Sequence, residues 1–124
     1  MREQILVYQT QEPLYALLQK VAEPNGFVLK RAEDPNEPIG VTAGVLSPAV
    51  RGTGGLPPAA PMLVLCGLSN ERLEQFLDVL KSAGLRFPFK AVLTETNRQW
   101  LPGVLFAHML AERAEIQRQL RSDM

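Results

Sequence analysis

The feature that most constrains the fold is an uninterrupted apolar run followed by an amphipathic helix, and this pattern occurs twice. Residues 5–8 and 62–66 are the two runs, and neither alternates between polar and apolar side chains. Such a strand is apolar on both faces and needs a covering layer on each side. The sequence therefore predicts a sheet whose central strands are buried between helices.

The segment after each run has the start, stop and spacing of a helix with one apolar face. Thr10 and Ser69 are the predicted N-caps, and Glu71 places a negative charge in a first turn, where the helix dipole favours it. Pro13 falls within a first turn, and Gly84 is a typical C-terminal stop. The apolar positions at helical spacing are Leu14, Leu17, Leu18 and Val21, then Leu73, Phe76, Leu77 and Leu80.

The two units also resemble each other in sequence. When Thr10 is placed on Ser69, Leu18 falls on Leu77 and Ile5 falls on Val64. An internal repeat would explain the match, but any two strand–cap–helix units would match in this way. We favour the second explanation, under which the units are alike without being a repeat.

Two weaker apolar segments complete the sheet, and they leave two architectures open. Residues 27–29 and 89–93 are the further predicted strands, residues 39–46 a short helix, and the last helix begins near Pro102. We favour a small three-layer α/β fold with four parallel strands in the order 2-1-3-4 and helices on both faces. The alternative is a ferredoxin-like α+β fold, with an antiparallel sheet and helices on one face.

Length and composition indicate one domain and exclude several functional classes. The 124 residues form a single predicted domain, 1–124, with a mobile loop rich in proline and glycine at about 47–60. The 13 basic and 13 acidic residues balance, which gives no electrostatic case for binding nucleic acid or an anionic membrane. No apolar run approaches the roughly 18 residues of a membrane span, and residues 1–8 do not form a signal peptide.

The counts of cysteine and histidine bear on location and metal binding. One cysteine cannot form an intramolecular disulfide, which fits a reducing compartment, and we expect a cytoplasmic protein. One histidine and one cysteine argue against a zinc site within a single chain, and no cofactor is predicted. The last helix is mostly polar beyond Ala114, so we expect it to protrude from the domain. Ile116 and Leu120 are the apolar exceptions, and they could form a homodimer contact.

If the strands are parallel, a ligand would bind beyond their carboxyl ends, where the strand order switches. We expect eight residues at that edge: Tyr8, Thr10, Cys66, Ser69, Thr94, Thr96, Asn97 and Trp100. Lys90 is excluded because four strand residues place it roughly 13 Å from Thr94, toward the opposite edge.

Each candidate group also has a structural explanation. The group Thr94, Thr96, Asn97 and Trp100 could orient and stack a ligand, or it could fix a strand-to-helix turn, which we favour. Cys66 stands near a helix N-terminus in a Cys-x-x-Ser pattern, but a buried thiol that reacts slowly with thiol reagents is the interpretation we favour. His108 has no partner cysteine or histidine, which favours a packing or surface role.

One block of sequence resembles a known family. Lys90-Ala91-Val92-Leu93-Thr94, followed by Thr96-Asn97 and Trp100, resembles the signature of a small bacterial domain of unknown function, number 3783. The resemblance extends over about residues 62 to 115 and implies a compact α/β domain with no assigned activity. The chain departs from the family at Cys66, where an aromatic residue is usual, and at Leu101-Pro102, where a capping residue is common.

The leading hypothesis is a non-catalytic binding or regulatory module that uses the predicted edge. A phosphoryl-accepting receiver domain is excluded because Tyr8 and Cys66 occupy the places of its metal-binding acids. No Ser-His-Asp order is recognisable. The alternative is a small enzyme or small-molecule sensor at the same edge, with Cys66 or Glu95 as its reactive group.

Overall fold

The computed structural model describes residues 1–122, which form a four-stranded sheet with helices on both faces. The strands are β1 (Gln4–Tyr8), β2 (Leu29–Ala32), β3 (Met62–Cys66) and β4 (Phe89–Val92). The helices are α1 (Glu12–Ala22), α2 (Ile39–Thr42), α3 (Asn70–Ser82) and α4 (Pro102–Ser122). Short 3₁₀ turns occupy Glu23–Asn25 and Asn97–Gln99.

The strand order β2-β1-β3-β4 is the predicted one, but the sheet is mixed. β1 and β2 are parallel and β3 and β4 are parallel, whereas β1 and β3 are antiparallel with Leu6 opposite Val64. The prediction of an all-parallel sheet is therefore wrong. A single crossover helix forces parallel strands only within each β-α-β unit, and the long connection between β2 and β3 lets β3 enter from either end.

Two apolar clusters, one on each face, explain why the central strands are continuously apolar. On one face, Leu18 of α1 and Phe76 of α3 belong to a cluster with Ile5 and Leu63 of the sheet. On the other face, α2 and α4 contribute to a cluster that contains Leu6, Val64 and other side chains of the central strands. Every residue of β1 and β3 is buried, as both apolar runs predicted.

Several local predictions need correction. α1 begins at Glu12 without a side-chain cap, and the hydroxyl of Thr10 instead donates a hydrogen bond to the Tyr8 carbonyl at 3.0 Å. The predicted cap at Ser69 is confirmed, because its Oγ accepts from the Arg72 N–H at 3.1 Å. The second strand is Leu29–Ala32 rather than 27–29, because Phe27 leaves the strand and packs edge-on against Phe76.

The segment between the two units is largely irregular. α2 covers only four residues instead of the predicted 39–46, and Gly44 follows it with φ +80°. No helix or strand lies within residues 47–60, but Gly52 N–H donates to the Asn36 carbonyl at 2.9 Å and Gly55 N–H to the Asn36 side chain at 2.8 Å. The mobility of this loop stays a prediction.

After its first two turns α4 contributes no buried residue, although Arg113 still donates to the Pro88 carbonyl. Its buried residues are Pro102, Leu105 and Phe106, and every described residue from Leu110 onward is exposed. Within residues 1–122, no helix combines the length and apolar content needed to cross a bilayer.

Candidate functional site

The antiparallel pairing of β1 and β3 divides the eight predicted site residues between the two ends of the sheet. Tyr8 lies opposite Met62 at the start of β3, whereas Cys66 lies opposite Gln4. Tyr8 and Thr10 are therefore at one end, and Cys66 and the residues that follow β4 are at the other. The single shared edge required parallel central strands, and it does not form.

The turn after β4 is fixed by reciprocal hydrogen bonds between Thr94 and Asn97. Thr94 N–H donates to Asn97 Oδ1 at 2.9 Å, and Asn97 N–H donates to Thr94 Oγ1 at 3.1 Å. Asn97 Nδ2 also donates to the Val92 carbonyl at 2.9 Å, and the residue is 7% exposed. These contacts favour the structural explanation of both side chains.

Trp100 joins this turn to two helices. Its indole stacks on the imidazole of His108, with ring centroids 4.4 Å apart and planes inclined by 20°. Its carbonyl accepts a hydrogen bond from the Ile39 N–H of α2 at 2.9 Å. His108 therefore makes a packing contact, in line with its predicted role.

A cavity of about 310 Å³ lies between β4, this turn and α4, and we call it the turn cavity. Four of the predicted residues line it: Thr94, Thr96, Asn97 and Trp100. The other lining residues are Lys90, Ala91, Leu105, His108, Met109 and Glu112. The cavity thus combines an indole and hydroxyl groups with one basic and one acidic side chain.

Sequence reasoning missed Lys90, His108 and Glu112 as members of this site. The two α4 residues are spaced by one turn, and Leu105 and Met109 share their side of the helix. Placing that side of α4 against the turn would have identified them. Lys90 was excluded from its backbone position alone; the residue lines the cavity, while its ammonium donates to the Phe87 carbonyl.

Cys66 and Ser69 do not line the turn cavity. Cys66 is 0% exposed, and burial raises the pKa of its thiol to about 11. The thiol is therefore neutral at neutral pH and poorly placed for nucleophilic attack. The Ser69 hydroxyl is engaged as the cap of α3.

The opposite end of the sheet holds Tyr8 and Thr10. Tyr8 is 2% exposed, and burial raises the pKa of its phenol. Thr10 lines a separate cavity of about 620 Å³ together with Gln9 and Arg31. Arg31 already contacts Glu12 and donates to the Thr10 carbonyl at 2.7 Å, so its guanidinium is engaged within the chain.

The turn cavity lies wholly within the second β-α-β unit and α4, and this half of the chain has a recognisable relative. Residues 61–116 match the domain of unknown function DUF3783. The resemblance predicted for residues 62 to 115 is therefore confirmed. No curated protein and no solved structure matches the chain.

The DUF3783 segment begins just before β3 and ends within α4, so it contains every residue that lines the turn cavity. β1, α1, β2 and α2 lie outside it. Across residues 1–122, no three histidine, cysteine, aspartate or glutamate side chains are grouped in a way that could hold a metal ion.

Proposed function

We propose that this chain is a non-catalytic binding or regulatory module of the bacterial cytoplasm, with its ligand site in the turn cavity. The observation that carries the proposal is the convergence of Thr96, Trp100, Lys90 and Glu112 on one cavity of about 310 Å³. That volume is at the lower limit of small-molecule pockets, which combine apolar walls with a few polar groups.

The state of the potentially reactive groups supports binding rather than catalysis. The Cys66 thiol is buried with a raised pKa, and Glu95 forms an ion pair with Arg98 at 2.9 Å. Asn97 is committed to the turn through both ends of its amide. The alternative of a small enzyme or sensor that uses Cys66 or Glu95 therefore has little support.

The lining of the turn cavity favours a small zwitterion. Glu112 offers a carboxylate, and Lys90 offers an ammonium that donates to the Phe87 carbonyl in this structure. Thr96 offers a hydroxyl that donates and accepts, and Trp100 supplies an apolar wall. A free amino acid has the matching ammonium, carboxylate and side chain within this size.

The chain contains one tryptophan, so fluorescence reports on this site directly. Titration with a panel of free amino acids should produce a saturable change in Trp100 emission, and Thr96→Val or Glu112→Gln should weaken it. Glu115→Gln, one turn along α4, is the matched control and should bind as the wild type does. An emission unchanged by every amino acid would contradict the proposal.

We also propose that the protein self-associates through the end of α4. Leu110, Ile116 and Leu120 are 51%, 56% and 60% exposed, and Ile116 and Leu120 lie one turn apart. Between residues 112 and 121, Glu112 and Glu115 precede Arg118 and Arg121, with Arg113 between the two glutamates. Two antiparallel helices would pair apolar side chains and place the glutamates of each helix beside Arg118 and Arg121 of the other.

Light scattering tests this interface. The wild type should have twice the chain mass of 13.7 kDa, and Ile116→Ser with Leu120→Ser should reduce it to one chain. Gln117→Ser on the same exposed segment is the control and should remain dimeric. A wild-type protein that is monomeric across the concentration range would contradict self-association while leaving the turn cavity as a separate question.

A further inference from the structure

A second cavity lies across β4 from the turn cavity, and we call it the cationic cleft. Its volume is about 700 Å³, and it lies where the C-terminal end of α3 meets the start of β4 and the middle of α4. The apolar lining includes Leu80, Leu85 and Phe87. Four basic side chains also line it, and no acidic one does: Lys81, Arg86, Lys90 and Arg113.

These four charges have no acidic partners within the described chain. None of the five ion pairs found in residues 1–122 includes any of them. Lys90 Nζ donates to the Phe87 carbonyl, and Arg113 Nη1 donates to the Pro88 carbonyl at 3.4 Å. The net charge of the whole chain is zero, so this cleft concentrates positive charge that is neutralised elsewhere.

The Lys90 side chain is affected by burial and by one neighbouring cation. Partial burial lowers the pKa of its ammonium, and the nearby guanidinium of Arg113 lowers it further. An adjacent carboxylate would have the opposite effect, because an opposite charge favours the charged form. An anion placed between these side chains would offset both the repulsion and the free-energy cost of desolvating the ammonium.

Basic side chains at the C-terminal end of a helix often hydrogen-bond its last carbonyls, but this role does not account for the four basic residues of the cationic cleft. Two of the last carbonyls of α3 are already bonded to main-chain donors: Gly84 N–H to Lys81 O at 3.1 Å and Leu85 N–H to Leu80 O at 3.0 Å. The helix therefore has a Schellman-type end in which main-chain donors satisfy these two carbonyls. Moreover, Lys90 belongs to β4 and Arg113 to α4.

We propose that the cationic cleft binds an organic anion with an apolar body. The apolar body would cover Leu80, Leu85 and Phe87, and the anionic group would lie among the four cations. A cleft of about 700 Å³ is within the range of small-molecule sites. The site shares Lys90 with the turn cavity but no other lining residue, and it lies entirely within the segment that matches DUF3783.

The test uses the whole 124-residue chain and the fluorescent anion 1-anilinonaphthalene-8-sulfonate, whose rings are apolar and whose sulfonate is charged. Saturable binding should weaken at least about tenfold in Arg86→Gln with Arg113→Gln, because two charge-assisted contacts are lost. Lys81→Gln with Lys90→Gln should give a similar loss through an independent pair. Arg118→Gln removes an exposed charge of α4 outside the cleft and should bind as the wild type does.

Two further measurements separate charge recognition from simple apolar binding. N-phenyl-1-naphthylamine has the same rings without the sulfonate and should bind at least about tenfold more weakly than the anion. Raising the salt concentration should weaken the anion's binding. Melting curves of the variants establish that each one is folded.

Equal affinity for the anionic and neutral probes would overturn the proposal, and so would wild-type affinity in both folded double variants. Failure of the anion to bind the wild type at all would also overturn it. If the charge substitutions changed sedimentation but left probe binding intact, the cleft would be a contact between copies of the chain instead. The results for Arg86→Gln with Arg113→Gln do not depend on whether the turn cavity binds a zwitterion, because neither residue lines that cavity.

Discussion

Replacing Asn97 by alanine tests whether the turn after β4 depends on this side chain. The substitution removes two hydrogen bonds of 2.9 Å, one from Thr94 N–H and one to the Val92 carbonyl. Each such bond contributes roughly 0.5–1.5 kcal/mol net, and the buried position limits replacement by water. We therefore expect a loss of about 2 kcal/mol in the free energy of unfolding, or about 6–10 °C in Tm for a chain of this size.

Urea unfolding followed by circular dichroism measures the loss, and Trp100 fluorescence reports on the turn itself. Gln99→Ala in the same 3₁₀ turn is the matched control, since Gln99 is exposed, and it should change stability by less than about 0.5 kcal/mol. Asn97→Asp keeps the acceptor for Thr94 N–H but loses the donor to Val92, so it should also destabilise. An Asn97→Ala protein that melts within about 2 °C of the wild type would refute the assignment of this side chain to the turn.

Three further substitutions probe the rest of the fold. Burial raises the pKa of Cys66 to about 11, so this thiol ionises at lower pH in the unfolded chain than in the folded one. In urea unfolding, the wild type should therefore lose about 1–2 kcal/mol of unfolding free energy relative to Cys66→Ala between pH 8 and 10. The native thiol should also react slowly with a thiol reagent at neutral pH. Gly103→Ala places a Cβ 2.2 Å from the Leu56 carbonyl oxygen, so a clear drop in Tm is expected by calorimetry, and an unchanged Tm would count against the packing of residues 47–60 on α4. Arg72→Ala removes the ion pair with Glu3 at 2.7 Å and the stacking of the guanidinium on Phe27, so a lower urea midpoint is expected, and an unchanged midpoint would show that these contacts contribute little to stability.

The sequence predicted the strand order but not the strand directions, and the reason is physical. Uninterrupted apolar runs indicate that β1 and β3 are central and covered on both faces, and that holds for either direction. Direction within each β-α-β unit follows from the single helix that connects its strands. Nothing in residues 33–61 specifies the end from which β3 enters, so the antiparallel central pair could not be derived.

The candidate site was predictable only where its residues are close in sequence. Thr94, Thr96, Asn97 and Trp100 form one turn, so their grouping did not depend on the arrangement of the sheet. Tyr8 and Cys66 were assigned to the site through an assumed strand direction, and that assumption failed. His108 and Glu112 reach the turn cavity because α4 packs back across β4, a tertiary contact that no local pattern reports.

The arrangement of the two β-α-β units predicts how the DUF3783 segment would behave as an isolated fragment. In the full chain β1 lies antiparallel to β3, and Leu6 faces Val64 across the centre of the sheet. All five residues of β3 are buried, so removal of β1 would expose an apolar strand edge, which tends to pair with another strand. A second copy of β3 could replace β1, because an antiparallel pair about a two-fold axis would place Val64 opposite Val64 of the other copy.

A fragment of residues 61–115, which omits Ile116 and Leu120, should therefore fold as a dimer with strand order 4-3-3-4. Sedimentation equilibrium should give twice the fragment mass, and circular dichroism should show that folding depends on concentration, because dimerisation and folding are coupled. Val64→Lys in the fragment places two like charges at the axis and should yield an unfolded monomer. A 61–115 fragment that is monomeric and cooperatively folded would show that β3 does not need an antiparallel neighbour, and the argument that the first half of the chain acts as a built-in partner for the second would fail.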